Sequence, residues 1–399
     1  MRDRNSSGIR LPAIALIIAM PLALACGAPS TWDEANEQAK AAYQEGRYDD
    51  AERLFRRAVE LAEGLGEPGS ELVVSLNNLG LLYQSMGRPE EAIPHYLRAL
   101  EIRERLLEPN DLELAASYDN MAGQYQQIGD LARSAEFYRK ALGVREEALG
   151  EDAPPVADTL NNLGLLAFLG DDLDEAERLH TRSIEIIRLN FAAESPNLAV
   201  ALTNLANVLS AREDYPAAEE ALREAVLVLS KNTGPESLEV ARAKNNLASV
   251  LRKRGALDEA AGLHGEAQAI LERALGPDHP EVASTLNNLA VVYRLQERPD
   301  DAEAAYRRAI EILEKRQGPT HPDVAAALFN LGRLFVETDR LDEAEPVYRR
   351  SAEIYESSLG ASHPNTVLVL KAYAELLRRQ GRDEEALAVE ARAGGDTAP

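Results

Sequence analysis

Cysteine and aromatic residues are scarce in this sequence. Cys26 is the only cysteine among 399 residues, so an intrachain disulfide cannot form. Aromatic residues make up 5% of the chain, although 45% of it is hydrophobic. A core must therefore be built mainly from alanine and leucine, whose modest size suits helices that approach one another closely.

Basic residues are in the minority, and the common catalytic motifs are absent from the sequence. The 43 lysines and arginines face 67 aspartates and glutamates, which gives a formal charge of −24. A field of this sign repels phosphate backbones, so nucleic acid is not an expected partner. The sequence has no HExxH, GxSxG or CxxC motif and no phosphate-binding glycine loop. We therefore expect neither an enzyme nor a bound cofactor or metal.

The N-terminal segment has the layout of a secretory signal. Three arginines lie within the first ten residues, and residues 11–25 carry no charge. This apolar run is shorter than the roughly 20 residues that a transmembrane helix needs. Residues 22–26, LALAC, resemble the lipoprotein box of bacteria, in which the cysteine becomes lipidated. The alternative is ordinary cleavage after residue 25, with Cys26 as an accidental first residue.

The two ends of the chain are expected to lie outside the repeat region, and the lipoprotein resemblance also implies a cellular location. Residues 1–25 are expected to be a signal peptide, and residues 26–31 a short tether after lipidated Cys26. Residues 394–399 are expected to be a flexible tail. The implied location is the bacterial cell envelope, with the chain facing the periplasm or the exterior and touching the membrane only through its lipid.

An internal repeat fills the rest of the chain, from residue 32 to residue 393. Similar segments recur every 42 residues and begin at Leu76, Tyr118, Leu160, Leu202, Lys244, Leu286, Leu328 and Leu370. A second series with the same period runs from Ala92 to Ala386, and Ala51 extends it backwards with a 41-residue step. The spacing predicts nine units.

Each unit has the pattern of two helices joined by a short turn. In one unit Pro280 is placed to begin a helix, and Leu286, Leu289 and Tyr293 follow at helical spacing. The turn position often holds glycine, at Gly46, Gly87, Gly129, Gly170, Gly255 and Gly381. Small residues recur at fixed positions on both helices, where they let two backbones approach. Gly262 and Gly265 interrupt one second helix and should weaken it by roughly 1 kcal/mol each.

The motif L-x-x-L-G/A-x-x-Y followed by A-x-x-x-Y/F-x-x-A resembles the tetratricopeptide repeat. The 42-residue period is similar to that of the kinesin light chain variety, as in residues 276–313. This resemblance implies an all-α fold, an α-solenoid of helix-turn-helix repeats. It also implies a non-enzymatic scaffold whose concave groove binds a protein or an extended peptide.

One polar position recurs inside the apolar pattern of the first helices. Seven successive units place asparagine one residue before the core leucine or methionine, at Asn78, Asn120, Asn162, Asn204, Asn246, Asn288 and Asn330. Asparagine is a poor helix former, and its amide offers a donor and an acceptor to a peptide backbone. In the repeats that this sequence resembles, the position lines the groove. The column either contacts a ligand or bonds a neighbouring helix and fixes the repeat geometry.

The residues that share this helix face change character along the chain. The early units place Val74, Leu81, Leu165 and Leu169 there, whereas the later units place Arg242, Lys253 and Arg333. One hypothesis is a ligand whose acidic part lies over units six to nine. The alternative is that these cations solvate their helices or pair with nearby glutamates.

Histidine forms a series that could be mistaken for a metal site. His279, His321 and His363 each precede a proline at the same position of successive units. We interpret them as three copies of one turn signal, too far apart to bind one ion. His180 and His264 fall at core-like positions of second helices.

Two functions remain open from the sequence. The first is a lipid-tethered receptor that binds a peptide reversibly through the groove. The second is a structural subunit of an envelope or secretion assembly, held through its outer face or its uncapped C-terminal end.

Overall fold

The computed structural model describes residues 29–66, 68–191 and 195–393. The predicted signal peptide, Cys26 and the predicted tail lie outside these residues and stay predictions. The described chain forms two compact units, divided between Leu106 and Leu107. Throughout the described ranges the regular structure is helical and contains no strand, so the all-α prediction is confirmed.

The first unit contains two helix pairs. Its four helices are α1 (Trp32–Gln44), α2 (Tyr48–Glu63), α3 (Ser70–Ser85) and α4 (Pro89–Leu106). Within each pair the two helices pack along their length, and α2 also packs against α3.

The second unit contains seven helix pairs with the same internal pattern. Its helices are α5 (Leu112–Gln127), α6 (Leu131–Leu149), α7 (Pro154–Leu169), α8 (Leu173–Asn190), α9 (Pro196–Ala211), α10 (Tyr215–Thr233), α11 (Leu238–Arg254), α12 (Leu257–Leu275), α13 (Pro280–Leu295), α14 (Pro299–Gln317), α15 (Pro322–Glu337), α16 (Leu341–Leu359), α17 (Pro364–Arg379) and α18 (Asp383–Arg392). Each helix packs against the next along the chain, as an α-solenoid requires.

Side chains and prolines specify where the helices begin. His279, His321 and His363 are the N-caps of α13, α15 and α17, and each ring Nδ1 accepts a hydrogen bond of 3.2 Å from a backbone N–H two residues later. The following proline is the first residue of the helix, where its missing N–H costs nothing. The interpretation of these histidines as a repeated turn signal is confirmed.

The turn inside each repeat contains one left-handed residue at a fixed position. Five repeats place glycine there, and four place an acidic residue with φ between 58° and 62°: Asp171, Glu213, Glu297 and Asp339. Gly170 lies in this turn, as predicted, as the C-cap of α7 with φ −86°, and the next residue, Asp171, takes the left-handed conformation.

Small residues lie where one helix of a pair meets a ring from the other. A Cβ on Gly164 would lie 2.7 Å from the His180 ring, and one on Gly332 would lie 2.5 Å from the Tyr348 ring. The predicted role of these small residues in close helix packing is confirmed at these two sites.

First helices in the second unit reach beyond their immediate neighbours. Helix α7 contacts α9, α11 contacts α13, and α13 contacts α15. No two second helices within the described ranges have comparable contact. The first helices of this unit therefore form its inner layer, and the second helices form its outer layer.

Candidate functional site

The exposed side of the inner layer is the candidate site, and we call it the inner face. It carries the predicted asparagine column. Asn162, Asn204, Asn288 and Asn330 are half-buried there, whereas Asn120 and Asn246 are exposed. Asn78 is half-buried on α3 of the first unit.

Three members of the column bond to the preceding first helix. The amide nitrogen of Asn78 donates to Asn36 Oδ1 at 3.0 Å, that of Asn204 to Asn161 Oδ1 at 3.0 Å, and that of Asn330 to Asn287 Oδ1 at 3.1 Å. These residues therefore fix the spacing of adjacent repeats.

Sequence reasoning missed Asn36, the acceptor on α1. Its side chain is buried, and it lies 41 residues before Asn77. It therefore corresponds to the acceptor position of Asn161 and Asn287, one residue before the column. The 41-residue step of the alanine series applies to the first helix of this repeat as well.

Two buried histidines tie the inner layer to the outer layer. The Nδ1 of His180 lies 3.1 Å from Asn161 Oδ1, and that of His264 lies 2.8 Å from Asn245 Oδ1. Burial lowers the pKa of each imidazole to about 4. Both rings are neutral at pH 7 and serve as packed hydrogen-bonding groups.

The predicted basic residues of the inner face have partners on the face itself. Arg242 donates two hydrogen bonds of 2.8 Å to Glu281 of the next first helix. Lys253 Nζ donates to Ser210 Oγ at 3.0 Å. Arg333 lies 3.9 Å from Glu337, which is a weaker contact. The predicted alternative, pairing with nearby glutamates, therefore describes Arg242 well.

Two further arginines lie on this face, and sequence reasoning did not identify Arg294. Arg294 donates to Glu337 at 2.6 Å and 2.7 Å, and its side chain is only 12% exposed. Arg379 holds the position of Lys253 in the last repeat, which the sequence predicts to lie on this face, and it pairs with Asp339 at 3.0 Å. Both partners lie about 40 residues away, so the repeat pattern of a single helix does not reveal them.

A cavity of about 400 Å³ opens on the inner face between α15 and α17. We call it the C-terminal groove cavity. Its apolar lining comes from Phe329, Val336, Tyr348, Leu368, Ala372 and Leu376, and its charged lining from Arg333, Glu337, Glu375 and Arg379. Leu368 is 53% exposed although it is large and apolar. Such a cavity accepts an apolar side chain and offers hydrogen-bonding groups beside it.

Two other classes of site were sought among the described residues. No group of three His, Cys, Asp or Glu side chains is placed there to hold a metal ion. None of the helices found in those ranges has the length and apolar character needed to cross a membrane.

Family models match almost the whole repeat region. One model described as tetratricopeptide repeat matches residues 34–105, 71–147, 111–189, 155–228, 239–315, 311–357 and 323–393. A second model with the same description matches residues 203–267. None of the curated proteins compared with the chain matches it significantly.

Several solved structures are similar to the chain. RapI in its apo form has a TM-score of 0.55 at 15% identity, and the match covers 70% of this chain and 96% of RapI. BtubC (BKLC) from P. vanneervenii has a TM-score of 0.49 at 25% identity, covering 60% of this chain and 93% of BtubC. A putative kinesin light chain from P. anserina has a TM-score of 0.47 at 20% identity, covering 51% and 96%. The match to RapI supports the fold alone.

Proposed function

Because the chain belongs to the tetratricopeptide repeat family, as matches across residues 34–393 show, we propose that it binds an extended peptide or protein segment on its inner face. The protein is a repeat scaffold of the kind that mediates protein–protein interaction, and such scaffolds are typically non-enzymatic. The observation that carries the proposal is the C-terminal groove cavity, where apolar and charged groups converge.

The cavity indicates the chemistry of the ligand. Its exposed Leu368 and buried Tyr348 suit an apolar side chain. Arg333 and Arg379 flank that apolar floor, and a guanidinium binds a carboxylate through charge-assisted hydrogen bonds. We therefore propose that an acidic residue of the ligand lies beside its apolar anchor. Exposed Asn246 extends the site toward the middle repeats by offering an amide to the ligand backbone.

A pair of charge-reversal variants tests this site. The inner variant combines Arg333→Glu with Arg379→Glu, and the matched outer variant combines Arg349→Glu with Arg350→Glu on α16. Each variant removes one ion pair within a helix and one between repeats, and the four side chains are between 40% and 52% exposed. Peptides selected from a display library of unstructured 12-residue sequences serve as probes.

The inner variant should weaken binding of the selected peptides at least tenfold, because each charge-assisted hydrogen bond contributes about 1.5–3 kcal/mol. The outer variant should bind as the unmodified chain does, and affinity should fall with added salt. Equal losses in the two variants, or an affinity indifferent to salt, would reject the site.

We also propose that a lipid on Cys26 tethers the scaffold to the membrane of the bacterial cell envelope. The proposal is supported by the position of the only cysteine directly after a short apolar run. In Cys26→Ser the precursor should remain uncleaved, because the lipoprotein peptidase requires the modified cysteine. Metabolic labelling with a fatty acid should disappear in this variant, and labelling that persists would exclude the tether.

A further inference from the structure

The last residue of the first-helix motif usually carries a large side chain. From the second repeat onward this position holds Tyr83, Tyr125, Ala167, Leu209, Leu251, Tyr293, Phe335 and Leu377. Among these eight repeats the fourth alone has a small residue there, Ala167 on α7.

In two other repeats the aromatic ring packs toward the second helix of the preceding repeat and is flanked by two arginines. The hydroxyl of Tyr83 accepts a hydrogen bond of 2.6 Å from Arg56 and donates one of 2.8 Å to Glu52. The ring of Phe335 has the guanidinium of Arg340 at 4.4 Å and that of Arg307 at 5.9 Å. Both rings are buried.

In the fourth repeat the corresponding space is a cavity of about 430 Å³. We call it the Ala167 socket. Its lining includes Leu163 and Leu166 of α7, Leu179 of α8, and Ala135 and Leu142 of α6. Leu163, Leu166 and Leu179 are buried and form an apolar floor.

The fifth repeat has a larger side chain at the position of Ala167 and a smaller depression beside it. Leu209 takes the place of Ala167 there, and a depression that shares seven of its eleven lining positions with the socket measures about 270 Å³. An apolar cavity of about 150 Å³ is enough to bind benzene. The Ala167 socket therefore has room for an aromatic ring.

We propose that the Ala167 socket receives an aromatic side chain of a partner protein. Arg139 lines the socket at the repeat position that Arg56 and Arg307 occupy beside Tyr83 and Phe335. The more distant of the two guanidiniums that flank the ring in those repeats is thus retained, whereas Asp172 takes the place of the nearer one, Arg88 or Arg340.

The charge around the socket also differs from that of the filled repeats. Ala135 stands at the position of Glu52 and Glu303, so the carboxylate that those repeats place on the preceding second helix is absent, while the carboxylates of Asp172 and Glu175 line the socket. The Arg139 side chain can then donate to a phenol oxygen or a backbone carbonyl that the incoming residue brings.

The other possible occupants are less compatible with the sequence. Residues 1–28, 67, 192–194 and 394–399, which lie outside the described chain, contain no Phe, Tyr or Trp. A second copy of the chain carries the same net charge of −24, and repulsion between like charges opposes its approach. The socket lies between α6 and α8 and shares no lining residue with the C-terminal groove cavity.

Methyl-group NMR of the full-length chain tests the socket directly. The probes are three capped peptides, acetyl-Gly-Ser-X-Ser-Gly-amide, with Phe, Leu or Ala as X. The Phe peptide should shift the methyl signals of Leu163, Leu166 and Leu179, the Leu peptide should shift them less, and the Ala peptide should leave them unchanged. Equal shifts with all three peptides would overturn the proposal.

Two variants separate the socket from the inner face. Ala167→Tyr should abolish the shifts and raise the thermal midpoint, because the new ring fills the space that Tyr83 fills in its own repeat. Asn246→Ala should keep the shifts even if it weakens binding at the inner face. Shifts that persist in Ala167→Tyr would overturn the proposal. If that variant does not fold, Ala167→Leu replaces it, since leucine is accommodated at Leu209 and Leu251.

Sedimentation velocity distinguishes a partner protein from a second copy. The unmodified chain should sediment as one species at all concentrations, and Ala167→Tyr should not change it. A concentration-dependent dimer that Ala167→Tyr disperses would assign the socket to a second copy and overturn the proposed partner.

Discussion

Two histidines stand at a position where four of the nine repeats have tyrosine. His180 and His264 align with Tyr96, Tyr138, Tyr306 and Tyr348 on the second helices. Both histidines are almost completely buried, and each bonds through Nδ1 to an asparagine of the paired first helix. Burial keeps them neutral, so they pack as tyrosine does but respond to acid.

We expect the pair to make folding sensitive to mild acid. The pKa of each ring is about 4 in the folded chain and near 6.5 when unfolded, so the unfolded chain binds protons more readily. Their stabilisation is complete above pH 6.5 and declines as the pH falls toward 4. By pH 5 the loss is about 2 kcal/mol per histidine.

The double variant His180→Tyr with His264→Tyr measures this contribution. Its thermal midpoint should fall less than that of the unmodified chain between pH 7.5 and pH 5. Carboxylates titrate alike in both proteins, so the difference isolates the two imidazoles. An identical pH dependence in both proteins would contradict the assignment.

The sequence predicted which residues share a face but not which residues pair. The asparagine column follows from a fixed period, and all its predicted members lie on first helices. The partner of Arg242 could not be predicted, because Glu281 lies 39 residues away on another helix. Ala167 departs from the large residues that other repeats have at this position. Only the packing of the rings in those repeats shows that it leaves a cavity.

At the scale of the helix, the effect of a glycine on stability depends on which atoms surround it. Gly262 and Gly265 lie within α12, and a Cβ on either would meet no atom within 4 Å. Gly164 and Gly332 lie on first helices, and a Cβ there would collide with a ring. The sequence identifies all four as glycines in helices, but only the packing separates the two kinds.

Alanine substitutions should therefore change stability in opposite directions. Gly262→Ala and Gly265→Ala should each raise the free energy of unfolding by about 0.5–1 kcal/mol, because alanine loses less backbone entropy in a helix. Gly332→Ala should lower it by about 1–3 kcal/mol, because Tyr348 must move. Urea denaturation followed by circular dichroism measures each change, and stabilisation in Gly332→Ala would disprove the packing argument.

Helix boundaries were predicted best where a side chain caps the helix. The histidine–proline pairs specified three starts correctly, because both residues act locally. The turn at Gly170 was also predicted correctly, but the sequence did not show that Asp171 is the left-handed residue of this repeat. The left-handed conformation costs an L-residue about 1–2 kcal/mol, and the packing of the two helices against each other must offset that cost.

At the scale of the second unit, each repeat contacts mainly its neighbours, so one repeat should be removable. Deleting residues 244–285 joins Ala243 to Leu286 and preserves the register of the first helices. The shortened chain should remain folded and lose only about a tenth of its helical signal, with a lower thermal midpoint. Circular dichroism checks this, and complete loss of helix would indicate a closed core with long-range contacts.

The two layers of the second unit also have a mechanical consequence. Adjacent inner helices are linked by ion pairs such as Arg242–Glu281, and adjacent outer helices by exposed ion pairs such as Arg188–Glu224 and Arg223–Glu259. Each exposed pair contributes at most about 1 kcal/mol and weakens as salt screens it. Because salt screens such pairs on both layers, we expect the coupling between adjacent repeats to weaken slightly as ionic strength rises.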